Sequence, residues 1–282
     1  MLVVSFRRLA VLVPLVALLM AGCARPPQEA EITAKPRLPA VADSYLPMPE
    51  VTPRHMPKGV LAGRKLVVSS AAEIQLQPGE VILSFDDGPR KGSTDSILAT
   101  LDDFNVKATF LMVGKMADAY PQTARNVAAH GHAIGTHTYD HLNLANADQT
   151  VAMDDVYRGE AAVARALKGS GHTLTPFFRF PYLAQTGLLR ASLSEQSLIV
   201  LDVQVDSQDY LKSAPQQTID RTLARLDKRG RGIILFHDIH PLTAALLPDF
   251  LQALADRGYK VVQLVSRDPS PFGEDLVTAS KN

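Results

Sequence analysis

His137 and His141 stand four residues apart, the spacing at which two imidazoles on a helical turn share a face and reach one ion. A carboxylate from Asp86 or Asp87 would complete a set of two His and one acid with coordination positions left open. That set suits catalytic zinc, or a similar divalent ion that activates water. A His pair alone is a weak signal, because such pairs are common on surfaces and in cores. Other ionisable groups end apolar runs elsewhere in the chain: Arg179, Asp206 with Asp209, and His237 with Asp238. Each has a plainer reading. Asp86 fits a turn in Asp-Asp-Gly-Pro, Arg179 a structural ion pair, and Asp206 or Asp209 a cap on the following segment. Asp238 reads as supporting structure, and His55, His130, His132 and His172 as solvated or core residues.

The elements that must position these groups follow from apolar patterning. Short apolar strands are expected at residues 81–85, 108–113, 132–135, 177–180, 198–205, 233–236 and 260–264. Amphipathic helices alternate with them. Ile97, Leu98, Leu101 and Phe104 mark one, residues 121–130 and 148–168 two more, Ile219, Leu223 and Leu226 a fourth, and Leu246 to Leu254 the last. Continuous apolar strands between amphipathic helices predict an α/β fold with a parallel sheet covered by helices. About seven such units favour a distorted (β/α) barrel over an open sheet. In a barrel the C-terminal strand ends form the active-site face, and five loops would then aim Asp86, His137, Arg179, Asp206 and His237 at one mouth.

Five segments in order resemble the motifs of the polysaccharide deacetylases of carbohydrate esterase family 4, the NodB-homology domain. They are Ser84-Phe85-Asp86-Asp87-Gly88-Pro89, His137 to His141, Arg179-Phe180-Pro181-Tyr182, Asp206 to Tyr210, and Leu235-Phe236-His237-Asp238. The resemblance implies that Asp87, His137 and His141 hold a divalent metal, and that Asp86 is the general base, oriented by Arg179. It implies that the backbone N–H of Tyr182 stabilises the oxyanion. His237 would protonate the leaving nitrogen with its basicity raised by Asp206, and Leu235 would line the acetyl pocket. Tyr210 stands where many members have Trp, and Leu183 where a Gly is common, which leaves the shape of the sugar groove open. The implied substrate is an acetylated glycan, with N-deacetylation of an N-acetylglucosamine polymer ahead of O-deacetylation. A non-catalytic glycan-binding protein is disfavoured, because base, ligands and acid occur together.

Composition narrows the setting. Lys+Arg 29 balances Asp+Glu 29, so nothing suggests the basic surface of a nucleic-acid binder, and Trp 0 argues against a Trp-platform carbohydrate module. Arg7 and Arg8 precede an apolar run to Met20 and small residues at Ala21 and Gly22, the layout of an export signal too short for a membrane span. The sole cysteine, Cys23, follows directly, and Leu19 to Cys23 resembles a bacterial lipobox. The expected organisation is a signal at 1–22, a proline-rich tether at 23–60, the catalytic domain at 61–268 and a tail at 269–282. Lipidation of Cys23 would tether the protein to a membrane in the cell envelope, facing the periplasm.

Overall fold

The computed structural model describes residues 60–272. The signal segment, Cys23, the proline-rich stretch, His55 and the end of the tail lie outside the described residues.

Strand β2 (Glu80–Asp86) shows how the sequence builds the fold. Side chains alternate across a strand, so Val81, Leu83 and Phe85 face the surrounding helices while Ile82, Ser84 and Asp86 face inward. The strands that follow are β3 (Thr109–Met112), β4 (Ala133–Thr136), β5 (Phe177–Phe178), β6 (Ile199–Val200), β7 (Val205–Asp206) and β8 (Gly232–His237). Pairing runs β6–β5–β4–β3–β2–β8–β7, seven strands all parallel, which is the expected distorted barrel. Two further strands, β1 (Ala62–Val68) and β9 (Lys260–Ser266), pair with each other, and β9 joins the start of β2.

Helices α1 (Ser93–Asp103), α2 (Gly114–Ala119), α3 (Pro121–Ala129), α4 (Gln149–Leu167), α5 (Gly187–Glu195), α6 (Pro215–Arg229) and α7 (Pro241–Asp256) connect the strands. Their apolar faces, such as Ile97 and Leu101 of α1, Leu223 of α6 and Phe250 of α7, form the main core with Phe85, Phe110 and Phe236. Each such side chain, fully buried, contributes roughly 1.5–3 kcal/mol. A second cluster, including Ile82, Leu111, Phe177, Ile199 and Ile233, fills the barrel interior below the site.

One link carries no helix. A parallel crossover needs about a dozen residues, whereas β6 and β7 are separated only by residues 201–204. Residues 199–206 therefore act as one extended stretch that pairs with β5 at its start and with β8 at its end. The single strand expected at 198–205 is thus present but changes partners midway, leaving a wedge on either side of the crossing.

β1, α2 and α5 were not legible from patterning: β1 is half polar, α2 has six residues, and α5 buries only Leu189 and Leu193. The compact body also runs past residue 268. Ser270 is buried and donates to Glu160 at 2.7 Å, and the Phe272 ring packs on Tyr157. Glu160 is itself fully buried, accepts from Thr136 as well, and is pushed up to about 7 by burial.

Candidate active site

The metal-type trio forms where β2 and β4 end. Asp87 has φ 75°, a left-handed conformation that turns it away from the line of β2, and neighbouring Gly88 sits so close to Asp238 that a Cβ would lie 2.1 Å from its Oδ2. His137 Nε2 is 3.6 Å, and His141 Nε2 3.3 Å, from Asp87 Oδ1. The three candidate ligand atoms lie within 4.8 Å of one another. The helical turn implied by the His spacing does not form. Residues 137–141 are a loop with left-handed Thr138 (φ 63°) and His141 (φ 57°), and Thr138 Oγ1 accepts from the His141 N–H at 3.0 Å. Helix α4 holds this loop: the Asp155 carbonyl and carboxylate accept from the N–H groups of Tyr139 (3.0 Å) and Asp140 (2.9 Å).

The donor set fits a divalent cation. His137 Nδ1 hydrogen-bonds to the Arg179 carbonyl at 2.7 Å; a carbonyl only accepts, so Nδ1 carries the proton and the Nε2 lone pair faces Asp87. Burial, with His137 beside it, lowers the His141 pKa and favours the neutral imidazole that a metal requires. Asp87 Oδ1 is buried and has no hydrogen-bond partner among the described residues.

Asp86 lies beside the trio, buried, with Oδ2 3.7 Å from His137 Nε2. Arg179, at the end of β5, donates from Nη1 to Asp86 Oδ1 at 2.6 Å and to Ser84 Oγ at 2.9 Å, while its Nε donates to the Leu201 carbonyl at 3.1 Å. The guanidinium thus crosses the barrel interior and fixes Asp86 against the cavity.

His237, at the end of β8, faces them. Its carboxylate partner is Asp209 and not Asp206. His237 Nδ1 is 2.7 Å from Asp209 Oδ1, and Asp209 Oδ2 accepts from the His237 N–H at 2.8 Å and from Thr243 Oγ1. Left-handed Gln208 (φ 56°) turns the chain after β7 so that Asp209 comes back under His237. Asp206 is engaged otherwise, accepting from the Gln208 N–H at 2.8 Å and from Tyr210 Oη at 3.4 Å. Burial alone would lower the His237 pKa, but the hydrogen bond and charge of Asp209, with Asp86 and Asp87 nearby, raise it to about 9. Burial is the largest single influence on Asp209 and would raise its pKa, but the hydrogen bonds and charge of His237 together with the Thr243 hydrogen bond outweigh it and lower the pKa.

Asp86, Asp87, His137, His141, Asp206 and His237 line one cavity of about 410 Å³, together with Leu235, Tyr182 and Tyr210. Tyr182 is left-handed (φ 58°), and its ring meets the His141 ring edge-on at 4.6 Å; the Tyr210 ring meets His237 at 5.5 Å. Asp86, His237 and the candidate metal ligands therefore share one mouth.

Residues 74–198 match the family model described as "Polysaccharide deacetylase". A chitooligosaccharide deacetylase of Azorhizobium caulinodans is 30% identical over 206 residues, which cover 71% of this chain and 95% of that protein. The chain belongs to the polysaccharide deacetylase family. A peptidoglycan-N-acetylglucosamine deacetylase of Listeria monocytogenes is 29% identical over 65% of this chain, but the match covers only 38% of that longer protein. Among solved structures, a Bdellovibrio bacteriovorus peptidoglycan deacetylase superposes with a TM-score of 0.65 at 37% identity, over 71% of this chain and 56% of that one.

Family membership makes the chain a hydrolytic deacetylase, and the geometry shows how its parts are placed. The family-model match ends before Asp209 and His237, so the pairing of these two rests on the structure. Patterning missed Thr243 and Ser84 as supports and Phe180 and His240 as cavity walls; it singled out Asp209 without pairing it with His237, and it set Leu183 near the sugar groove, where it lines the cavity. Asp238, expected to be supporting structure, is buried under the Asp86–Asp87 turn; it accepts from Thr94 Oγ1 at 2.7 Å, and burial pushes its pKa up to about 7. His132 is a core residue that accepts from the Ala108 N–H, and burial lowers its pKa to about 3.

Proposed function

We propose that this protein is a zinc-dependent N-deacetylase acting on an N-acetylglucosamine-containing glycan of the cell envelope, and that it is a lipoprotein anchored through Cys23 and facing the periplasm. The observation that carries the catalytic reading is the single cavity in which Asp87, His137 and His141 face Asp86 on one side and His237 on the other. The two nitrogens and one oxygen suit zinc, which when bound supplies a Lewis acid for the acetyl carbonyl and lowers the pKa of water.

The chain's own groups carry the remaining chemistry. Asp86, held by Arg179, takes a proton from the attacking water. The Tyr182 N–H donates to the oxyanion that develops on the carbonyl oxygen, and Leu235 bounds the space for the acetyl methyl. His237 is protonated below about pH 9 and gives its proton to the sugar nitrogen, which leaves as a neutral amine when the C–N bond breaks. The names of the chitooligosaccharide and peptidoglycan deacetylases support an N-acetylated glycan.

Acetate release from N-acetylglucosamine oligomers and from peptidoglycan tests this reading, with acetylated xylan as comparison. Release from the N-acetylated glycans that chelator abolishes and zinc restores is expected. Release only from xylan would replace the amide with an ester as the substrate bond.

A further inference from the structure

His240 lines the catalytic cavity but has no part in the chemistry described above. It stands at the N-cap of α7, directly before Pro241, with extended backbone (φ −92°, ψ 125°). Serine, threonine, aspartate and asparagine are favoured at that position, because a short polar side chain can accept from the free N–H groups of the first turn. The His240 ring makes no such bond. Its carbonyl serves instead, accepting from the N–H groups of Thr243 at 3.1 Å and Ala244 at 3.4 Å. The start of α7 therefore does not account for an imidazole here.

The ring is half-buried, and no hydrogen bond or ion pair holds it among the described residues. It meets the His237 ring with centroids 5.8 Å apart and planes at 66°. The other ring that meets His237 belongs to Tyr210, whose hydroxyl is engaged with Asp206. His240 is thus the neighbour of His237 with polar atoms to spare, one donor and one acceptor in the neutral imidazole. Neither of its ring nitrogens is sealed from solvent. The loop beneath the ring is fixed at three points. Arg90 Nη1 donates to the Ile239 carbonyl at 3.1 Å, the Asp238 N–H to the Asp86 carbonyl at 3.3 Å, and the His240 N–H to the His237 carbonyl at 3.4 Å. Such a loop holds its side chain ready for a ligand.

His237 Nδ1 is committed to Asp209, so Nε2 is the nitrogen left to face the bond that breaks. In an amino sugar the oxygens on the carbons flanking C2 lie about one hydrogen-bond length, roughly 3 Å, from the C2 nitrogen. A path from His237 through that nitrogen and its neighbouring oxygen to His240 spans the 5.8 Å between the two rings. We propose that His240 is a substrate-binding residue, whose imidazole hydrogen-bonds an oxygen beside the reacting nitrogen and so sets that nitrogen over His237. The inference rests on the deacetylase reading.

His240→Ala and His240→Gln, made in the full chain and loaded with zinc, test it on the N-acetylglucosamine pentamer. The alanine variant should raise KM about three- to tenfold, the loss of one neutral hydrogen bond. Its kcat should fall by less than KM rises, and the alkaline limb of its pH profile should stay where it is in wild type. Glutamine carries a donor and an acceptor at similar reach and should recover part of the loss. An unchanged KM in His240→Ala, equal impairment of the two variants, or a displaced alkaline limb overturns the proposal. Should His240→Ala not fold, judged by its melting transition, His240→Asn takes its place. Asparagine is a favoured N-cap whose side chain α7 would recruit, so the same rise in KM is expected from a stable protein.

Binding without turnover separates this idea from the deacetylase reading. The glucosamine pentamer has no acetyl group to lose, and calorimetry on the zinc-loaded protein reads its affinity directly. Wild type should bind it about three- to tenfold more tightly than His240→Ala. Equal affinities, or no binding to wild type, would sink the role of His240 even if acetate release is robust. Weaker binding by the variant, with no acetate release from any glycan by wild type, would instead leave His240 as a sugar-binding residue and remove the deacetylase reading.

Discussion

At the scale of single residues, the site divides its labour by environment. Asp86 and Asp87 are adjacent in sequence, yet Asp86 is buried against Arg179 while left-handed Asp87 turns toward two imidazoles. Asp86→Asn should keep zinc and lose about 10²–10⁴ in kcat, whereas His141→Ala should lose both metal and turnover. Zinc content measured beside initial rates distinguishes the two, and full activity in Asp86→Asn would remove it as the base. The Asp209 contact sets a pH limit. His237 is raised to about 9, so in its proposed role as the acid it is protonated below that value, and activity should fall as pH rises through it. With Asp209→Asn, burial dominates and the alkaline fall in kcat/KM should move down by roughly 1–3 units. An unmoved limb would show that another group sets it. The residue types of this site were legible in the sequence; the choice between Asp206 and Asp209 was not. Both are carboxylates in one short segment, and the deciding feature is the left-handed backbone at Gln208, for which Gln is no signal.

At the scale of elements, the barrel order was readable because buried parallel strands are continuous apolar runs, and those runs recur between helical stripes. What failed was local. The His137–His141 spacing suggested a helical turn, but left-handed Thr138 and the hydrogen bonds to Asp155 make it a loop pinned on α4. Gly159 of α4 is part of that pin: a Cβ there would lie 2.5 Å from the Thr138 carbonyl carbon. Gly159→Ala should therefore cost about 1–3 kcal/mol and weaken zinc binding through displacement of the two histidines. Gly187→Ala, where nothing lies within 4 Å of the added Cβ, is the control. Equal zinc affinity and Tm in the two variants would show that the α4 contact does not shape the site.

At the scale of the whole molecule, a catalytic body with its mouth at the C-terminal strand ends is joined, in sequence, to a proline-rich stretch and Cys23. If that cysteine is acylated, the full chain should partition into detergent and Cys23→Ala should remain in the aqueous phase; a wild type found in the aqueous phase would count against the anchor. Within the body, the two halves of the site stand on different walls: the two candidate histidine ligands and Arg179 on β4, β5 and their loops, His237 and Asp209 on β8 and the turn after β7. Among the described residues, the extended stretch 199–206 joins those walls on the side away from β2; its sheet partner changes midway, with α5 packed on its start and α6 on its end and no helix within it. Peptide amides at that change of partner are therefore the place where deuterium should enter the barrel soonest, and slowed uptake there on adding zinc would report that the two walls tighten together.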